Sequence, residues 1–253
     1  MRILLTNDDG YRAPGINMVF NALTEAGHDV VIVAPELNSS GASQSIAVYS
    51  PIEIHKVNEK VYYVSTTPAD SVRLGLQIVY QNQENYPDLV ISGVNMGENV
   101  SEDILYSGTV GAAREGALHG VPGLAFSTRG PKFDNLDAAA KVVVNLVTRL
   151  SKNQEVLKTP FLWNINIPNK PIEEIGGFEA TKLGIRMIHE PMQQQVTPRG
   201  TVIYWQGMSG EPEEGQLGTD IAVHLEQKNV SITPLKILPT DYNQMPIIAA
   251  LTV

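Results

Sequence analysis

The sequence predicts an α/β fold: a Rossmann-like, doubly wound and mostly parallel sheet with an antiparallel C-terminal extension. Three observations predict it. Short apolar runs alternate with segments of helical periodicity up to about residue 167. Glycine, proline or small polar residues punctuate these segments. Beyond residue 170 only short strand-like pieces and turn signals remain. The 253 residues read as one domain, with a core over 1–170 and an extension over 171–253.

Each element has its own signal. Ile3-Leu4-Leu5-Thr6 is an apolar run of the kind that forms a fully buried strand. Pro14-Gly15 opens a helix in which Ile16, Val19, Phe20 and Leu23 share one face, and Gly27 closes it. Val30 to Val33 is a second buried strand, stopped by Pro35, so the first 35 residues read β-α-β. Val48 and the run Val61 to Val64 look strand-like. Thr67-Pro68-Ala69-Asp70 is a capped helix start, and Val72, Leu76 and Val79 supply its apolar face. Leu89-Val90-Ile91 is a strand stopped by Ser92-Gly93. Gly108 to Leu118 is a helix of small residues, ended by Gly120 and followed by the strand Leu124-Ala125-Phe126. Leu136, Ala139, Ala140, Val143, Val147 and Leu150 mark the strongest amphipathic helix. Phe161 to Ile167 is a strand ending at Pro168. In the extension, Val202 to Trp205 and Val230 to Ile232 are short strands, Pro198-Arg199-Gly200 is a turn, and Glu211 to Gly215 is an acidic exposed loop.

Composition narrows the chemistry. There is no cysteine, which excludes disulfides, thiolate metal sites and a cysteine nucleophile. The net charge is −9 and no Lys/Arg run occurs, which argues against a nucleic-acid polymer as partner. No stretch approaches the length of a membrane span and the N-terminal apolar run is too short for a signal peptide. A cytoplasmic location is the default expectation. An acidic protein that binds a phosphorylated substrate needs a metal or backbone amides to do so.

In open parallel sheets, ligands bind beyond the carboxyl ends of the strands. Four polar, glycine-rich segments fall there: Asn7-Asp8-Asp9-Gly10, Pro35 to Ser43, Ser92 to Asn99, and Tyr106-Ser107-Gly108-Thr109. Asp8 and Asp9 are adjacent acids at a strand end. Asp-Gly is also a common turn pair. Two carboxylates held together in a crevice repel each other, and a divalent cation relieves that repulsion. Oxygen donors alone select a hard ion, one Mg²⁺ or Mn²⁺ per subunit. Ser40 and Asn95 can add a hydroxyl and an amide oxygen. The five histidines show no ligand spacing, so zinc is disfavoured.

Ser107-Gly108-Thr109 stands where a helix begins, a place where free N–H groups attract anions. Taken by itself the motif reads first as an ordinary N-cap serine with a close-packed glycine. Gly41, flanked by Ser39, Ser40 and Ser43, is a second candidate phosphate loop. His119 reads as a structural residue at a helix end, Trp163 and Trp205 as core or interface, and His224 and Asp220 as weak catalytic candidates. There is no G-x-x-x-x-G-K-[ST], no G-x-G-x-x-G after a strand, and no G-x-S-x-G. P-loop, dinucleotide and α/β-hydrolase chemistries are thereby disfavoured.

The segments LLTNDDGYRAPGI (4–16), APELNSSGASQSI (34–46), SGVNMGEN (92–99) and YSGTVGAAREG (106–116) resemble the SurE survival-protein family. TKLGIR (181–186), YWQG (204–207), GTD (218–220) and VSITPL (230–235) match it as well. The resemblance spans nearly the whole chain. It implies a metal-dependent phosphatase of nucleoside 5′-monophosphates, with 3′-nucleotides and short polyphosphate as further substrates to consider. Residue by residue, it places the metal ligands on Asp8, Asp9, Ser40 and Asn95, choosing Ser40 over Ser39. It also implies a homodimer or homotetramer built through a hairpin and arm of the extension. Ala47 stands where the family often has a hydroxyl residue. In the mechanism this suggests, Asp9 orients or deprotonates water and Asp8 acts mainly as ligand, while Ser107, Gly108 and Thr109 hold the phosphoryl oxygens.

Two other readings compete. A metal-dependent nucleotide-sugar transferase would need a second Rossmann-like domain, which residues 170–253 do not supply. A receiver-type signalling module would need an acceptor Asp after a central strand, where this chain has Ser92-Gly93-Val94-Asn95.

Overall fold

The computed structural model describes residues 1–251 except 82, 131–133, 187–190, 208–215 and 227. The strands are β1 (Arg2–Thr6), β2 (Asp29–Pro35), β3 (Ile54–Asn58), β4 (Val61–Val64), β5 (Leu89–Met96), β6 (Gly123–Thr128), β7 (Leu162–Ile167), β8 (Phe178–Ala180), β9 (Gln193–Val196), β10 (Val202–Trp205) and β11 (Val230–Leu235). The helices are α1 (Pro14–Glu25), α2 (Pro68–Leu74), α3 (Gly108–Leu118), α4 (Leu136–Ser151), α5 (Gln154–Leu157), α6 (Asp220–Glu226) and α7 (Met245–Leu251). Nine strands form one sheet in the order β3-β4-β2-β1-β5-β6-β7-β11-β8, and β9 and β10 pair alone. From β4 to β7 every neighbour is parallel. The β3–β4 and β7–β11 pairs are antiparallel.

The period-2 alternation of the central strands decides which helix each residue meets. Ile3, Leu5, Ile32, Leu89 and Ile91 point to one face, where α1 and α4 bury Ile16, Val19, Leu23, Val143 and Val147 against them. Leu4, Val31, Val33 and Val90 point to the other, under Val72, Leu76 and Ala112. Each such aliphatic side chain removed from water contributes about 1.5–3 kcal/mol. The small residues of α3 have a packing reason. A Cβ on Gly116 would stand 2.6 Å from Val90, and one on Gly123 only 2.0 Å from the Ala113 carbonyl. The helix therefore lies close on the sheet, and its first turn reaches the β1 rim.

The structure corrects three sequence readings. Val48 is not in a strand: it sits in a bend and is 67% exposed, because 36–53 drapes over α2 and α3 without a strand to pair with. The strand actually present nearby, β3, has the largely exposed sequence IHKVN and lacks an apolar signal because it is a sheet edge. The strand starting at Leu89 does not stop at Ser92-Gly93 but runs to Met96. The antiparallel extension is present in the β9–β10 and β7–β11 pairs, but it is not antiparallel throughout, since β8 joins the main sheet in parallel with β11. The Pro198-Arg199-Gly200 turn is found at the tip of the β9–β10 hairpin. The acidic loop Glu211–Gly215 lies outside the described residues. Trp163 is partly buried and stacked on Phe161 at 4.4 Å, whereas Trp205 is 57% exposed on the hairpin. No helix among the described residues is long and apolar enough to cross a membrane.

Candidate active site

Asp8 and Asp9 follow β1, the central strand of the parallel set, so their carboxyl groups emerge at the topological rim. Asp8 is buried and Asp9 half-buried. The Asn7 side chain closes the turn below them: its Nδ2 donates to the Gly10 carbonyl at 3.0 Å and its Oδ1 accepts from the Gly10 N–H at 3.2 Å. The Asp-Gly turn and the acid pair are thus one structure, and the turn presents the acids.

The neighbouring helix holds Asp8. Thr109 Oγ1 donates to Asp8 Oδ1 at 2.5 Å and the Thr109 N–H donates to Oδ2 at 3.1 Å. A Cβ on Gly108 would stand 2.9 Å from Asp8 Oδ2, so glycine is what lets the carboxylate reach the helix end. Burial pushes the Asp8 pKa up, opposed by these hydrogen bonds. Asp9 is pushed up to about 6, first by burial and then by the charge of Asp8, with the Met96 N–H opposing.

Asn95 reaches the rim through an irregularity in β5. Ser92 pairs with Ala125 but Asn95 pairs with Ser127, so β5 spends one extra residue there. Gly93 makes this possible: its φ is +126° and a Cβ would lie 2.2 Å from the Phe126 carbonyl. The Asn95 amide nitrogen donates to the Gly97 carbonyl at 2.8 Å, which leaves its oxygen facing the site. Ser40 lies on the exposed loop after β2; Ser39 N–H ties that loop to the Asp8 carbonyl at 2.7 Å.

Asp8, Ser40, Gly41, Asn95 and Ser107 line one open cleft of ≈ 450 Å³, with Asp9 and Thr109 beside Asp8. A larger cleft of ≈ 620 Å³ lies elsewhere, around Met1, Asp88 and His119, without the acid pair. The predicted residues therefore converge, with one departure. Thr109 does not face the cleft as an anion donor, because both of its donors are committed to Asp8. Ser107 caps the helix by accepting from the Val110 N–H at 3.1 Å. Its own O–H remains available to donate.

The donor set fits a hard divalent cation. Asp9 Oδ2 is buried with no hydrogen-bond partner among the described residues, a costly state that a cation relieves. The nearby donors are all oxygens: two carboxylates, a hydroxyl and an amide. No group of three or more His, Cys, Asp or Glu suited to a metal occurs among the described residues. Beside the two acids, Ser40 and Asn95 are the other oxygen-bearing candidates that line this cleft.

Sequence reading missed the far wall of the cleft. Arg186, its side chain 17% exposed, pairs with Asp103 at 3.0 Å and Glu98 at 3.8 Å. It is the one cation among the lining residues. Its motif TKLGIR was visible, but nothing local says that residue 186 meets residue 103. Asp220 is corrected from weak catalytic candidate to structural anchor. It is fully buried and accepts from the N–H groups of Ser101, Gly184 and Ile221 at 2.8–2.9 Å. The backbone of His224 lies in α6. His119 pairs with Glu115 at 3.2 Å, consistent with a structural role.

Comparison with known proteins agrees with this geometry. The family model described as "Survival protein SurE" matches residues 3–190. A 5′-nucleotidase SurE of Methylobacillus flagellatus is 44% identical over 244 residues, 96% of each chain. One from Nitrosomonas eutropha is 44% identical over 245 residues, covering 97% of this chain and 96% of that one. The crystal structure of the SurE protein from Aquifex aeolicus superposes with a TM-score of 0.85 at 37% identity, over 100% of both chains.

Proposed function

The chain belongs to the SurE family, and from that premise we propose that it is a divalent-metal-dependent phosphatase of nucleoside 5′-monophosphates. The relatives' name, 5′-nucleotidase, supports the reaction class. One structural observation carries the metal dependence: the buried, unpartnered Oδ2 of Asp9 beside the second carboxylate of Asp8.

Asp8, Asp9, Ser40 and Asn95 would hold Mg²⁺ or Mn²⁺. What that cation supplies when bound is charge neutralisation on the phosphoryl group and a more acidic water. Asp8 is the fixed ligand, oriented by Thr109 and by the close approach of Gly108. Asp9, with one oxygen on the cation, would use the other to orient the attacking water and accept its proton. Ser107 donates its hydroxyl to a phosphoryl oxygen, and Gly41 admits the phosphate close to the backbone. Arg186 stands across the same cleft, where its pairing with Asp103 and Glu98 holds the far wall in place. Hydrolysis of 3′-nucleotides and short polyphosphate would draw on the same phosphate-holding residues.

We place a homodimer or homotetramer interface on the extension. Val202, Tyr204 and Trp205 of the hairpin and Ile247, Ile248 and Leu251 of α7 leave apolar surface exposed. Phosphate release from nucleoside 5′- and 3′-monophosphates and polyphosphate, with EDTA, Mg²⁺ or Mn²⁺ in parallel, tests the activity. Metal-dependent release from 5′-monophosphates is expected. No release with any metal from folded protein overturns the reading.

A further inference from the structure

The loop that carries Ser40 has no regular structure, yet its place relative to Asp8 has to be fixed. Ser39 is tied to the Asp8 carbonyl, and Ser43 is tied at both its N–H and hydroxyl to the Tyr106 and Leu105 carbonyls at 3.0 and 2.7 Å. Those bonds join the loop to other loops of the rim. The next residue reaches a rigid element. Gln44 Nε2 donates to Glu115 Oε2 at 2.7 Å, across 71 residues of sequence. Glu115 is a buried carboxylate on α3, so this is a charge-assisted bond, shielded from water.

Glu115 lies on a stripe of α3 that repeats every four residues. Ser107, at the head of the stripe, lines the cleft. Gly111, one turn on, carries the loop directly: a Cβ there would stand 2.3 Å from the Ser43 carbonyl. Glu115 is the third member. The same helix holds Asp8 through Thr109. One rigid helix thus grips both halves of the site, Asp8 at its first turn and the Ser40 loop two turns later. The other oxygen of Glu115 faces His119 at 3.2 Å and Arg73 at 3.9 Å. Those partners, one from α2 and one from the end of α3, take up Oε1 and leave Oε2 for Gln44.

We propose that Glu115, acting through Gln44, is a positioning residue that sets the distance between Ser40 and the Asp8–Asp9 pair, and so tunes cation affinity without touching cation or substrate. The inference rests on the metal-dependent reading above, and its test has arms with and without metal. Without metal, hydrogen exchange of the amides of residues 40–46 is followed in wild type and Gln44→Ala. Faster exchange confined to that loop, with α3 unchanged, is the expected result. With metal, Mn²⁺ binding is titrated by calorimetry. Gln44→Ala should raise the dissociation constant about tenfold, the scale of one charge-assisted hydrogen bond. Its turnover should recover at saturating Mn²⁺.

Gln44→Glu should be worse, because two carboxylates then meet. Adding Glu115→Gln to it rebuilds the bond with the partners exchanged, and should restore both loop protection and affinity. Wild-type exchange together with wild-type Mn²⁺ affinity in Gln44→Ala overturns the proposal. So does a swap variant that melts like wild type but recovers neither readout. Wild-type protein that binds no Mn²⁺ sinks the metal reading itself, and the exchange arm then still reports on the loop.

Discussion

The β1 rim and the C-terminal extension break the ordinary rules of a folded surface in opposite directions. At the rim, charge is buried: Asp8 is out of water and Asp9 half so, and one oxygen of Asp9 has no hydrogen-bond partner among the described residues. In the extension, carbon is exposed: among the described residues the β9–β10 ribbon pairs with no third strand, and α7 buries none of its residues. A two-stranded ribbon is marginal on its own. Each region looks uneconomical in a single chain and makes sense with something added, a cation at the rim and a second apolar surface at the extension. The two additions differ in kind. The rim is pre-set by backbone and helix contacts and asks for an ion. The hairpin and α7 bury little of themselves and ask for area.

The largest effect that would sharpen this contrast is at Asp9. Asp9→Asn should lower phosphate release from a nucleoside 5′-monophosphate by about 10²–10⁴-fold, while circular dichroism remains that of wild type. Wild-type turnover in metal-limited buffer would break the rim side of the comparison. Next is Gly108→Ala. Alanine is the better helix former by up to about 1 kcal/mol, yet its Cβ would stand 2.9 Å from Asp8. Overpacking should win, with a net loss of about 1–3 kcal/mol on denaturant titration and weaker Mn²⁺ binding.

The extension should respond differently. Ile248→Asp together with Leu251→Asp should shift the mass seen by light scattering toward monomer. Monomer stability should change by no more than about 0.5 kcal/mol, as for most exposed sites. An unchanged mass would move the interface elsewhere.

The smallest effect is on stability against pH, measured without metal. The folded pKa of Asp9 lies above its usual value of 3.8, at about 6. The folded state therefore binds the proton more tightly, and ionising Asp9 destabilises the fold. That cost is absent below about pH 4 and complete above about pH 6. Discounted for partial exposure, it is about 1–2 kcal/mol. Asp9→Asn should accordingly melt roughly 2–6 °C higher than wild type at pH 7, with the difference vanishing toward pH 4. A constant difference would mean that Asp9 is not destabilised by ionisation. Mn²⁺ affinity should weaken as pH falls through 6, because the proton and the ion compete for the same carboxylate.

Much of this was legible in the chain because the relevant signals are local. Leu4 and Leu5 name a buried strand by their run, and Thr67-Pro68 names a helix start that the structure caps with the Thr67 side chain. Helix α3 begins at Gly108 and ends at Leu118 as its small residues and flanking glycine indicate. The candidate rim residues were also legible, because the end of a parallel strand is a place that sequence can mark. The strand at Val48 failed because an apolar residue needs a neighbouring strand, and whether one is present is not written nearby. The extent of β5 failed because Gly93, a stop signal read locally, is instead the residue that lets the strand pass the Phe126 carbonyl.

The sequence by itself determined the alternation of strands and helices, the absence of thiol and P-loop chemistry, and the identity of the acids at the rim. All of these depend on residues within a few positions of one another, where periodicity and dihedral preference act. Tertiary structure alone decided that Thr109 spends its donors on Asp8, that Asp220 is sealed among backbone N–H groups, that Arg186 closes the far wall, and that Glu115 holds the Ser40 loop. Those contacts join residues tens to over a hundred positions apart. Their distances are fixed by how helices pack on a twisted sheet, and no local preference encodes them.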